Sequence, residues 1–88
     1  MSINRLAKRV DANQQQIVDR LRACSVSVEI IGKPVDLLVC CRGENVLMEV
    51  KGKDGRLTKA QVEFISRWPG RVEVVRSPDD ALSALGIV

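Results

Sequence analysis

Two charged residues interrupt an apolar run near the middle of the chain. Residues 46–51 have the composition of a buried strand, yet Glu49 and Lys51 lie within them. Because alternate residues of a strand share a face, both side chains are predicted to leave the sheet on the same side. Placing a carboxylate and an ammonium beside a core costs free energy unless each is paired or holds a metal. The two residues therefore indicate chemistry rather than packing.

A third candidate precedes the neighbouring apolar run, residues 37–41. Asp36 stands at the head of this run, and together with Glu49 and Lys51 it resembles the signature of the PD-(D/E)xK nucleases. Two carboxylates and the backbone carbonyl of Val50 are oxygen ligands of the kind that Mg²⁺ or Mn²⁺ prefers. Such a cation lowers the pKa of a bound water and neutralises charge on a phosphodiester. Lys51 would orient the attacking water or stabilise the charged transition state.

A purely structural interpretation competes with this one. Asp36 and Lys51 could form a cross-strand ion pair beside an unrelated Glu49, and isolated Glu-x-Lys strings are common. The catalytic interpretation is favoured by a combination of features. The strand context is apolar, an Asp begins the preceding strand, and a glycine-containing loop, residues 52–56, follows.

The hairpin between the two strands bears on the motif. With Gly43 and Glu44 as a two-residue turn, Asp36 lies opposite Lys51 on one face of the sheet. In this register Asp36 and Glu49 are diagonal neighbours, within about 5–8 Å and in reach of one cation. A three-residue turn would place Asp36 on the other face unless a bulge restored it. The two-residue turn is the prediction adopted here.

Helices and strands are predicted in the order α-β-β-β-α-β-α, within one small domain, residues 1–88. Asp11 or Asn13 can cap the first helix, and Thr58 the second. Ser77 can cap the third, which has Pro78 at its first position. A chain of 88 residues buries a modest fraction of its surface, so oligomerisation would help it. The predicted helices are residues 11–23, 59–68 and 78–85, and the predicted strands are residues 25–31, 35–41, 46–51 and 71–76.

Composition excludes several classes of site. The chain has no histidine, which removes histidine bases and histidine-ligated metals, and its three cysteines lack zinc-site spacing. No stretch is long and apolar enough for a membrane span or a signal peptide, so we expect a cytoplasmic protein without a membrane partner.

Basic residues flank the proposed metal site. Charge runs are usually solvated surface, and the net charge of +3 is modest, but it is unevenly distributed. Basic residues that flank a metal-carboxylate site favour a polyanionic partner. The chain has one Trp, one Phe and no Tyr, so backbone and shape recognition is favoured over base stacking. The candidate DNA-binding residues are Arg5, Lys8, Arg9, Lys33, Lys53, Arg56 and Lys59.

Gln61 lies on the second predicted helix, one turn from its start. Phe64, Ile65 and Trp68 form the apolar stripe of that helix, and Gln61 extends it toward the strands that carry the site. Spacing alone also allows a residue at the edge of the core whose amide bonds a backbone group.

Several motifs together resemble the VRR-Nuc family of PD-(D/E)xK nucleases, in particular its minimal phage and prophage members. The resemblance implies a restriction-endonuclease-like αβββαβ core with a mixed sheet and a short C-terminal helix, similar to Holliday-junction resolvases. It implies a metal-dependent endonuclease that acts on DNA, including branched DNA, as a homodimer in a bacterial host, without an organic cofactor. Asp36 and Glu49 are then metal ligands, Lys51 the catalytic lysine and Gln61 an assisting glutamine. The motifs are residues 11–18 (DANQQQIV), 21–22 (LR), 34–39 (PVDLLV), 49–51 (EVK) and 57–61 (LTKAQ).

Two departures from the family pattern stand out. Related nucleases have a metal-site glutamate on the first helix, where this chain has neutral amides. Gln14 is the preferred equivalent and Gln16 the alternative, and an amide would hold the cation less strongly. Ser25 stands where a turn glycine is expected. The missing acid leaves a second function open, a DNA-binding module with the same fold and weak or no catalysis.

Overall fold

The computed structural model describes residues 2–88, with side chains from Ala12 onward. Three helices and four strands follow one another in the predicted order. The strands form one mixed sheet in the order β1-β2-β3-β4. The first three pair antiparallel and β4 runs parallel to β3, which confirms the α/β class and the mixed sheet. The elements are α1 Ser2–Ala23, β1 Ser27–Ile30, β2 Leu37–Cys41, β3 Glu44–Val50, α2 Lys59–Arg67, β4 Val72–Val75 and α3 Pro78–Ala84.

Helix α1 begins at Ser2, so the prediction that Asp11 or Asn13 caps it is wrong. The apolar residues Ile3, Leu6 and Val10 continue the helical spacing toward the N-terminus, and no helix breaker separates them from the later turns. The predicted basic residues Arg5, Lys8 and Arg9 fall within this helix, and their side chains lie outside the described part of the chain.

The C-terminal end of α1 explains the serine at position 25. Ser25 has a φ of 63°, the left-handed region that glycine enters most readily. The next residue, Val26, donates its N–H to the Leu21 carbonyl and closes the end of the helix. Ser25 therefore performs the turn expected of a glycine, at some cost in backbone strain.

The main core lies on one face of the sheet. Val46, Met48 and Val50 alternate along β3 and are buried against Ile17 of α1 and Leu82 of α3. The side chains of the intervening residues of β3 project from the opposite face of the sheet, as the period of two requires. The prediction that Glu49 and Lys51 share one face is confirmed by this alternation.

The β2–β3 hairpin has a different register from the predicted one. Its turn residues are Arg42 and Gly43, with φ of 54° and 80°, the two positive values that a type I′ turn requires. Leu37 pairs with Met48, and the same register carried one residue further places Asp36 opposite Glu49. The predicted Gly43–Glu44 turn is wrong by one residue, because Arg42 adopts the left-handed conformation, and this displacement shifts every cross-strand partner by two residues. A shift of two preserves the faces, so Asp36 and Glu49 move from diagonal to direct neighbours.

Of the helices in the described residues, none combines the length and apolarity that a membrane crossing needs.

Candidate active site

Asp36 is fixed at the start of β2 through both its backbone and its side chain. Its carbonyl accepts the N–H groups of Ile31 and Gly32, at 2.9 and 3.2 Å, which closes the β1–β2 loop. Its Oδ2 accepts the N–H of Val50 at 2.8 Å. This backbone donor across the hairpin holds the carboxylate in position.

Glu49 is a buried acid on the sheet face opposite the main core, and only 3% of its surface is exposed. Its Oε2 accepts Gln61 Nε2 at 3.0 Å and lies 3.4 Å from Lys51 Nζ. Lys51 is itself largely covered, with 17% of its side chain exposed. The three residues form a compact group in which one glutamate oxygen receives two donors.

Burial raises the pKa of Glu49 from 4.5 to about 7. The carboxylate of Asp36 adds to this rise by charge repulsion and by its closeness, which lets the two acids share a proton. Lys51 acts in the opposite direction and lowers the pKa. A buried carboxyl with a raised pKa beside a second carboxylate and an ammonium is an electrostatic setting typical of functional sites.

Gln61 has two partners that fix the orientation of its amide. The side-chain Oε1 of Gln61 accepts the backbone N–H of Thr58 at 2.9 Å, and the backbone N–H of Gln61 donates to Thr58 Oγ1. Together these two hydrogen bonds form a capping box at the start of α2. Because the amide oxygen is committed to the cap, the NH₂ group must be the one that faces Glu49. Both interpretations drawn from the sequence hold: Gln61 bonds a backbone group and also contacts the candidate site.

The backbone at Val50 places a carbonyl near the two acids. Lys51 donates its N–H to Val75 O of β4 at 3.0 Å. Alternate residues of a strand direct their backbone groups to opposite neighbours, so Val50 faces the β2 side, where its N–H meets Asp36. The Val50 carbonyl therefore lies on the same edge of β3 as the Asp36 carboxylate. A third oxygen ligand of a cation held by Asp36 and Glu49 would need this position.

Asn13 is a contact of the site that the sequence did not reveal. Its Nδ2 donates to the carbonyls of Lys51 and Arg76, at 3.2 and 3.4 Å, where β3 and β4 end. The amide joins α1 to both strand ends. Its place within a run of polar residues gave it the signature of a cap, and only the tertiary fold brings it to Lys51.

Arg76 is the second missed residue. Its Nη1 donates to the carbonyls of Gly52 and Gly55, each at 2.7 Å, and lies 3.4 Å from that of Lys53. Its backbone N–H donates to Asp80 Oδ2 at 3.0 Å. One guanidinium thus organises the loop that follows Lys51, while its backbone connects to α1 and α3.

The first-helix amides differ in their surroundings. Gln14 is half-buried, next to Asn13, whereas Gln16 is exposed and lines a groove with Arg20 and Pro78 on the α1–α3 side. The described contacts of Asp36 and Glu49 involve neither amide, so the preference for Gln14 stays a prediction. In the part of the chain whose side chains are described, no group of three or more acidic, cysteine or histidine residues forms.

The described basic candidates lie at one end of the sheet. Lys33 belongs to the β1–β2 loop, Lys53 and Arg56 to the loop after β3, and Lys59 begins α2. All four are exposed. These loops join the strand ends that carry Asp36 and Glu49, so the structure brings the cations and the acids to the same end.

No family model, no curated protein and no solved structure matches this chain.

Proposed function

We propose that the chain is a Mg²⁺- or Mn²⁺-dependent DNA endonuclease of the PD-(D/E)xK class, similar to the VRR-Nuc family and with its restriction-endonuclease-like fold. The observation that carries this proposal is the burial of Glu49 against both Asp36 and Lys51. Burying Glu49 beside a second carboxylate costs stability, and the cost becomes understandable if a cation offsets it. The αβββαβ order and the mixed sheet agree with the proposed fold.

The residues present fit a hard divalent cation. Asp36 and Glu49 would supply carboxylate oxygens and Val50 a carbonyl, while Gln14 would add an amide oxygen from α1. Each acid has one oxygen occupied by described donors, Asp36 Oδ2 by Val50 and Glu49 Oε2 by Gln61 and Lys51. The other oxygen of each is the one offered to the cation.

The surrounding residues would hold the reacting groups. A bound cation of this kind activates a water and neutralises charge on the phosphate. Lys51, held at 3.4 Å from Glu49, directs its remaining N–H donors at the charge that develops on the phosphoryl oxygens. Gln61 keeps Glu49 in one orientation through its hydrogen bond, since its own amide is fixed by the helix cap.

A homodimer acting on branched DNA is the more specific form of the proposal. Leu38 and Val74 are 38% and 36% exposed on the sheet face opposite the main core. On α2, Val62 and Trp68 are 50% and 43% exposed. Exposed apolar residues of this kind favour a self-association surface, and a symmetric dimer would bring two active sites to matched positions on two DNA strands.

The substitution Val74→Lys tests this surface. In sedimentation measurements it should convert a dimer to a monomer, and an unchanged dimer would exclude this surface.

A DNA-binding module with little or no turnover is the second candidate. The neutral amides at Gln14 and Gln16 favour it, because the first helix then lacks the acid of related nucleases. Such a protein would keep the basic loops and the fold, and would bind DNA without cutting it.

Cleavage of a labelled four-way junction and of its matched linear duplex tests the proposal. Each substrate is incubated with Mn²⁺, Mg²⁺ or EDTA and with the wild type, Glu49→Ala or, as a control, the exposed Glu63→Ala on α2. Metal-dependent cutting that only Glu49→Ala abolishes supports the nuclease, and preference for the junction supports branched substrates. Binding without cutting in every metal would favour the second candidate.

A further inference from the structure

A cleft of about 430 Å³ adjoins the candidate active site, a volume typical of ligand sites. The β1–β2 loop forms one wall with Gly32, Lys33 and Pro34, and α2 forms the other with Phe64 and Arg67. Gln61 also lines the cleft, and the same side chain bonds Glu49. The cleft and the buried acid are therefore separated by a single residue.

The charge of this cleft is one-sided. Lys33 and Arg67 stand on opposite walls, and none of the described lining residues is acidic. Among the described residues neither cation has an ion-pair partner. Two unpaired cations across a concave surface concentrate positive potential where an anion could enter.

Arg67 is held in a geometry suited to an anion. Its guanidinium carbon lies 5.2 Å from the centre of the Phe64 ring, which it covers. This cation–π contact holds the guanidinium at the cleft wall, and none of the hydrogen bonds between described residues uses its N–H groups, which leaves them free to donate to an anion. Such an arginine recognises phosphate oxygens by two parallel hydrogen bonds more readily than a mobile lysine does.

We infer that this cleft binds one backbone phosphate of the DNA strand, with Arg67 and Lys33 as its ligands. This phosphate is the neighbour, on the same strand, of the phosphate that lies at Glu49. The inference rests on the proposed function for the identity of the strand. Gln61 forms the boundary between the two phosphate positions, so the cleft would set how the strand enters the site.

Binding measured without cleavage tests this subsite. The affinity of a fluorescent duplex oligonucleotide is followed by anisotropy over a range of salt concentrations in EDTA, for wild type, Arg67→Gln, Arg67→Lys and Ala60→Glu. Arg67→Gln should weaken binding and reduce the slope of log K against log salt by about one phosphate contact, while Arg67→Lys should retain the slope. Ala60→Glu places an acid in the cleft wall and should weaken binding. Because an acid in the first turn of α2 favours the helix, this loss could not be attributed to misfolding.

Arg42→Gln is the matched control. It removes one charge at the hairpin turn, at the far end of the sheet, and should bind like the wild type. If Arg67→Gln and Ala60→Glu also bind like Arg42→Gln, the subsite is wrong even if the wild type cleaves DNA. If they bind more weakly and the wild type never cleaves, the subsite stands and the nuclease proposal fails. A wild type that does not bind DNA overturns both.

The position of the phosphate is tested with a modified substrate. A neutral methylphosphonate replaces the phosphate on either side of the scissile linkage. At the position that Arg67 contacts, the modification should weaken wild-type binding and have little further effect in Arg67→Gln. If the losses of affinity from the methylphosphonate and from Arg67→Gln add fully at both positions, the assignment to a neighbouring phosphate is overturned.

Discussion

The side-chain amide of Gln61 links the start of α2 to the buried carboxylate of Glu49 through a hydrogen bond of 3.0 Å. The same amide completes the capping box with Thr58. One side chain thus caps the helix and contacts the candidate site. Because the cap uses the amide oxygen of Gln61, the NH₂ group is the one that faces Glu49.

Gln61→Leu and Thr58→Ala should separate these two functions. Both variants break the capping box and should lose about 1 kcal/mol of stability in urea unfolding. Only Gln61→Leu removes the donor to Glu49, so its cleavage rate at saturating metal should fall well below that of Thr58→Ala. Equal rates in the two variants would show that Gln61 acts through the helix alone.

Glu49 should make stability decrease as pH rises. Its pKa is raised to about 7 from 4.5, so between these values the folded protein retains a proton that the unfolded chain has released. Rising pH therefore favours unfolding across this window, by up to about 3 kcal/mol for the full shift. Urea unfolding at pH 5 and pH 8 in EDTA should show a larger decrease for the wild type than for Glu49→Gln. The same pH dependence in both proteins would contradict the assignment.

Asp36→Asn should remove cation binding while preserving the fold. Asparagine keeps an oxygen that can accept the N–H of Val50, so the hairpin contact survives. Loss of one carboxylate ligand should lower Mn²⁺-dependent cleavage by at least about 100-fold and remove the calorimetric signal of Mn²⁺ binding. Asp54→Asn, in the exposed loop after β3, is the control and should behave like the wild type.

Asn13→Ala should destabilise the protein by about 1–3 kcal/mol, because the carbonyls of Lys51 and Arg76 would lose their donor. Gln15→Ala offers a comparison on the same helix. Gln15 is exposed and bonds only Asp19 among the described residues, so its loss should cost less than about 0.5 kcal/mol. Thermal unfolding of both variants measures the difference, and equal values would deny Asn13 its bridging role.

Arg76→Gln should loosen the loop after Lys51. The guanidinium donates to two carbonyls of this loop, each at 2.7 Å. Because the loss of charged hydrogen bonds destabilises the closed loop, the population of the open loop should rise at least about tenfold. Cleavage after Lys53 by a lysine-specific protease should accelerate accordingly. Arg71→Gln removes an arginine that pairs with Glu44 and Glu73 and should leave the rate unchanged.

The sequence was informative where a local rule applies. Glu49 and Lys51 were placed on one face because a strand has a period of two, and Thr58 and Ser77 were identified as caps from residue type. The register could not be obtained in this way. It depends on Arg42 accepting a positive φ, a choice that the alternating pattern does not encode because a shift of two preserves both faces.

The contacts of Asn13 and Arg76 lay beyond sequence reasoning for a different reason. Both side chains bond backbone carbonyls, which every residue possesses, so no partner residue type marks them. Only the arrangement of α1 and β4 around the end of β3 brings those carbonyls within reach.

The distances along the chain that these contacts span suggest an order of assembly. Val50 and Asp36 are 14 residues apart, within one hairpin, whereas Asn13 and Arg76 are 63 apart. Contacts of short sequence separation close quickly and at small entropic cost, and long ones close late. We expect the two acids to meet early, while the chain is still open to water that screens their repulsion. The docking of α1 onto the strand ends then completes the site and makes unfolding cooperative, because the first and last thirds of the chain must separate together.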